Sequence, residues 1–150
     1  MTRLSSAFGD VSALRIKQFT LGNHTFKVRV PLSSEMEAIQ QRINDVDPSK
    51  IEAKYVSMSQ GFRDNPSEGV TITDDDVIVG ERSTREMART ILTLEQRVTE
   101  FIRLLVPENG SLDDLTYEEI EAEWPLAVQL EMIEHITEAV QPGYKEQRKN

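Results

Sequence analysis

The chain has 150 residues, 38% hydrophobic and 29% charged, with a net charge of −9 and an isoelectric point near 4.8. Those values predict one thin-cored domain that completes its burial against a partner, and they argue against nucleic-acid binding, since phosphates would meet a surface of like charge. The absence of cysteine excludes disulfides, thiolate nucleophiles and sulfur-ligated zinc, and no apolar run approaches the roughly 18 residues of a membrane helix.

Residues 1–12 are small and polar and are expected to be loose, with no apolar stretch of the kind a secretory signal carries. Residues 13–30 read as a β-hairpin. Arg15, Lys17 and Phe19 alternate with Leu14, Ile16 and Gln18 in its first arm. Gly22-Asn23 supplies a turn in which positive φ costs little. In the second arm Phe26, Val28 and Val30 face one way and Lys27 and Arg29 the other, which makes the ribbon apolar on one side and basic on the other. Pro31 has no amide proton with which to extend the ladder.

A helical body over 33–141 follows. Ser33 or Ser34 caps a helix whose apolar face is Met36, Ile39, Ile43 and Val46, and Ser34 with Glu37 has the spacing of a capping box. Asp47-Pro48 starts another helix, with Ile51, Tyr55 and Met58 along one face, and residues 60–67 are rich in turn formers and read as a loop. The β-branched fragments 70–72 and 77–79 flank Asp74-Asp75-Asp76 and predict a small second ribbon. Three consecutive aspartates invite a calcium reading, but the residues after them lack the oxygen, glycine and glutamate pattern of a calcium loop. A solvated turn or helix cap fits better.

Ser83-Thr84-Arg85-Glu86 is a second capping-box pattern, opening a helix expected to run to Val106 before Pro107. Met87, Ile91, Leu94, Val98, Phe101 and Leu105 form a heptad seam along it. Leu92, Ile102 and Leu104 widen the stripe, which favours a buried central helix over a coiled coil, while leaving the seam open as a partner or self-association surface. Between Arg103 and Lys145 there is no Lys or Arg, against the ten carboxylates Glu108, Asp113, Asp114, Glu118, Glu119, Glu121, Glu123, Glu131, Glu134 and Glu138. Leu115, Ile120, Trp124, Leu126, Leu130, Ile133, Ile136 and Val140 interrupt them at helical intervals. The spacing predicts a short helix capped at Thr116 and broken at Trp124-Pro125, then one closed by Pro142-Gly143, and residues 143–150 form a basic tail. An acidic helical lobe of this kind is either a docking surface or an ordinary solvated face. The fold class is therefore α+β: a hairpin, then a mainly helical body with one long central helix, in a single domain over 13–142.

Catalytic chemistry is missing from this pattern. His24 and His135 stand far apart in sequence and belong to no metal-ligating spacing, and no glycine-rich phosphate loop or nucleophile elbow is present. Trp124 beside Pro125 marks either a ligand pocket or a packing anchor. The expectation is a non-enzyme with no cofactor, metal, nucleic acid or membrane.

The succession of motifs resembles the tail assembly chaperones of long-tailed, lambda-like bacteriophages. It runs from Phe26-Lys27-Val28-Arg29-Val30-Pro31 into a Ser-capped helix, through Thr73-Asp74-Asp75-Asp76-Val77-Ile78-Val79-Gly80-Glu81-Arg82-Ser83 and Arg85-Glu86-Met87-Ala88, to Leu115-Thr116-Tyr117-Glu118-Glu119-Ile120 and Trp124-Pro125. These loose motifs span most of residues 14–140. The resemblance implies a protein of the infected host cytoplasm, absent from the mature virion, that keeps the tape measure protein soluble while tail tube protein polymerises around it. It also implies a longer frameshifted product, with which Arg148-Lys149-Asn150 is compatible because its codons can contain a slippery heptamer. Partner-binding candidates are Met87, Ile91, Leu94, Val98, Phe101, Leu105, Trp124, Glu131, Glu134 and Glu138. The competing readings are a structural head–tail joining or tail terminator subunit, and an acidic adaptor or inhibitor that mimics nucleic acid.

Overall fold

The computed structural model describes residues 2–141, so the Pro142-Gly143 stop and the basic tail lie outside the described residues. Within them the fold is α+β, with six α-helices and two small antiparallel sheets. The described residues form two compact units, 2–39 with 98–141, and 40–97.

The discontinuous unit begins with α1 (Arg3–Phe8), where a loose segment is expected. Thr2 and Ser5 join hydroxyls at 2.9 Å, and Gly9 closes the turn at φ 79°, so local polar chemistry forms the helix with no buried residue to anchor it. After a 3-10 turn (Ser12–Arg15), β1 (Ile16–Leu21) and β2 (His24–Arg29) form the hairpin. Gly22 and Asn23 both take positive φ, 59° and 65°, and set the register Phe19↔Phe26. Lys17 shares a face with Phe19, Phe26 and Val28, so that side is not purely apolar, although Lys17 itself stays exposed.

Helix α2 (Ser33–Asn44) runs from this unit into the other. Its start departs from the expected Ser34/Glu37 box. The Glu35 carboxylate instead accepts the Leu32 amide at 2.9 Å and receives Arg15 and Arg29 at 2.6 and 3.1 Å. The Leu32 amide, then the two guanidinium groups, hold the Glu35 carboxyl below its ordinary range against the opposing effect of desolvation.

In the continuous unit, α3 (Pro48–Asp64) is capped by Asp47, with proline in its first turn. It runs further than expected, taking in Gln60–Asp64 of the segment 60–67 that reads as a loop. The Gln60 amide donates to Asp64 at 2.8 Å one turn on, and Arg63 donates to the Tyr55 hydroxyl at 2.6 Å, so residues that read as turn formers are recruited to the helix. Strands β3 (Val70–Ile72) and β4 (Val77–Val79) pair as expected, and a third, β5 (Arg82–Ser83), joins β4. Asp76 ties the meander to the next helix. It accepts the Ser83 hydroxyl and the amides of Val77 (2.8 Å) and Arg85 (3.1 Å). The aspartate run is thus a turn and cap device, and no trio of acidic or histidine ligands converges anywhere among the described residues.

Helix α4 (Thr84–Ile102) opens on the expected box, with Ser83 Oγ accepting the Glu86 amide at 3.1 Å, and passes back into the discontinuous unit. It stops four residues short of Val106. The Val106 amide donates to Lys27 O at 2.8 Å and the Arg29 amide to Leu104 O at 2.9 Å, making an antiparallel bridge between Leu105 and Val28. Two backbone bonds to the hairpin edge replace the last helical turn. Thr116 then caps α5 (Tyr117–Glu123), and α6 (Leu126–Val140) starts after Trp124-Pro125, as expected. Val28, Val98, Phe101, Ile102, Leu104, Ile120, Met132 and Ile136 form the core of this unit.

Candidate functional site

The discontinuous unit holds an open groove of about 530 Å³. One side is Phe26 and its neighbours on β2, another the segment 102–108 leaving α4, and the third residues 112–124 with α5. Ile102, Leu105 and Ile120 are buried at its base, and Phe26, Pro107, Leu112, Leu115 and Trp124 are half-buried above them. The polar lining residues His24, Thr25, Lys27, Glu108, Glu119 and Glu123 are all exposed. An apolar floor with a charged rim follows from that division.

The walls are pinned from behind. Arg103 donates twice to Leu115 O, at 2.9 and 2.7 Å, which fixes the loop bearing Leu112 and Leu115 against the end of α4. Gln129 is 1% exposed; it donates to Trp124 O at 2.8 Å and accepts the Tyr117 hydroxyl at 3.0 Å. One buried amide therefore latches the α5–α6 corner and sets the position of Trp124. The Trp124 ring meets Phe26 edge-on at 6.5 Å, and Phe26 stacks on Phe19 at 5.4 Å.

The rim is acidic by composition and by pairing. Glu119 shares its capping bond with Thr116, while Glu108 and Glu123 pair with no cation among the described residues. Lys27 is the one lysine or arginine in the lining.

The residues singled out from sequence are dispersed. Of the heptad seam, Val98 and Phe101 are buried at 0% and 5% exposure and line no part of the groove. Met87, Ile91 and Leu94 are half-buried on the part of α4 in the continuous unit. Leu105 and Trp124 line the groove. Glu131, Glu134 and Glu138 are exposed on α6 and line no part of it. The two histidines, remote in sequence, join one aromatic ladder: His135 stacks on Phe19 at 5.3 Å and His24 meets Phe26 at 4.6 Å. Sequence reasoning missed Phe26, Leu112, Leu115, Ile120, Glu108, Glu119 and Glu123 as a set. The available signal was the pair Leu112 and Leu115 in an otherwise polar loop, where apolar side chains need a surface to cover.

Set against protein-family models, curated proteins and solved structures, the chain matches none of them.

Proposed function

We propose that this chain is a non-catalytic tail assembly chaperone of a long-tailed bacteriophage, binding the tape measure protein in the host cytoplasm and absent from the finished particle. The resemblance of the motif succession between Phe26 and Pro125 to that family supports the assignment. The observation that carries the binding reading is the groove, with its apolar floor and exposed carboxylate rim. An aggregation-prone helical client would bury apolar side chains there, while the surplus negative charge keeps the complex soluble.

Co-expression with the tape measure protein of the same phage tests the reading. A soluble complex of the two is expected. An insoluble tape measure protein in the presence of this chain, or abundant chain in purified virions, would overturn it.

A further inference from the structure

We infer that the groove docks a cationic amphipathic helix, which lays large apolar side chains on Phe26, Leu105, Ile120 and Trp124 and sets lysines or arginines against Glu108 and Glu123. This deepens the binding reading of the groove but does not depend on the phage assignment.

Charge selects the sign of the occupant. Two rim carboxylates have no cationic partner among the described residues. The walls from Leu105 to Trp124 also belong to the stretch that has no lysine or arginine between Arg103 and Lys145. A cation entering there meets the rim carboxylates Glu108, Glu119 and Glu123 at close range, and an anion is repelled by them. Backbone chemistry selects the conformation. An extended peptide binds by pairing with a free strand edge, and beside the groove two outward-facing groups of β2 are already used, Lys27 O by Val106 N and Arg29 N by Leu104 O. A helix satisfies its own backbone and approaches with side chains alone, which is what an apolar floor and a carboxylate rim can receive.

The test uses the full chain and a synthetic, tryptophan-free peptide of about 18 residues, with leucines at helical spacing and lysines elsewhere. Trp124 is the only tryptophan in the chain, so its emission reports the groove directly. Saturable change with the lysine peptide is expected, and a twin carrying glutamate for lysine should bind at least about ten-fold more weakly. The double variant Glu108→Gln, Glu123→Gln should weaken the lysine peptide about three- to ten-fold and flatten its salt dependence. The triple variant Glu131→Gln, Glu134→Gln, Glu138→Gln, on α6 away from the groove, should change it by less than about two-fold. Equal binding of the twin peptides, an unmoved Trp124 emission, or a loss in the α6 variant matching that in the groove variant would each overturn the inference. So would self-association of the parent that Leu4→Ala with Phe8→Ala abolishes while raising peptide affinity, because the chain's own exposed α1 would then be the occupant. If the Gln variants fail to fold, the twin peptides on the parent chain still decide. A soluble tape measure complex together with a silent lysine peptide removes this inference and leaves the chaperone reading standing.

Discussion

The imidazole of His135 lies flat on the ring of Phe19, with centroids 5.3 Å apart and planes 11° from parallel. The stack fastens α6 across the hairpin, and through the Phe19–Phe26 pair it continues to the groove wall. Stacked aromatic pairs contribute about 0.5–1.5 kcal/mol beyond their buried area. Replacing His135 by Ala should therefore lower stability by about 1 kcal/mol in urea unfolding, and replacing it by Phe should restore most of that loss. Equal midpoints for the parent and both variants would show that the stack carries no energy.

Gln129 offers a sharper case because it is buried and both of its bonds are used. Gln129→Ala removes the acceptor of the Tyr117 hydroxyl and the donor to Trp124 O, at a cost of about 1–3 kcal/mol. The emission of Trp124 should shift to longer wavelength as the corner loosens and water reaches the indole. A stability loss without that shift would mean the latch does not position the ring.

Much of the local architecture was legible because it is written in short-range chemistry. Ser83 with Glu86, Thr116 with Glu119, Gly22-Asn23 and Asp47-Pro48 each satisfy or forbid particular backbone groups within four residues, so the sequence marks the element boundary. The end of α4 was not legible. Whether residues 103–106 continue a helix or pair with β2 depends on a hairpin more than seventy positions earlier (Val28 against Leu105). The groove shares that property, drawing on residues 24–27, 102–108 and 112–124. The seam along α4 was visible as a pattern, but nothing in its spacing distinguishes a side chain that meets its own core from one that meets a partner.

Phe101 and Leu94 test that distinction within one helix. Phe101 is 5% exposed, and Phe101→Ala should cost about 3–5 kcal/mol. Leu94 is only half-buried, so Leu94→Ala should fall below the full-burial range of about 2–5 kcal/mol. Thermal unfolding of the two variants checks the order, and a larger loss at Leu94 would contradict the burial described above.

Asp76 gives the pH dependence. Burial raises its carboxyl pKa, but bonds from the Ser83 hydroxyl and from the Arg85 and Val77 amides, with the Arg85 charge, outweigh it and hold the value below the ordinary one. A depressed folded value contributes stability that is present above the unfolded value, near 3.9, and is lost as pH falls through the folded one. Asp76→Ala should cost about 1–3 kcal/mol at neutral pH. The gap between parent and variant should narrow below about pH 4, as measured by urea unfolding across pH. A gap that stays constant down to pH 2 would show that the ionised form is not what the site stabilises.

The Val28–Leu105 bridge also bears on the order in which the protein is made. The continuous unit is complete once Arg97 has emerged from the ribosome, whereas the hairpin waits for Leu105 and for α6 to cover it. During that interval Phe19, Phe26 and Val28 have none of their later partners, and an uncovered two-stranded ribbon is marginal in water. Pairing across so long a separation is slow and exposes the nascent chain to aggregation. The hairpin is thus the segment most in need of protection during synthesis, a vulnerability set by the order of the chain rather than by any weakness in the finished contacts.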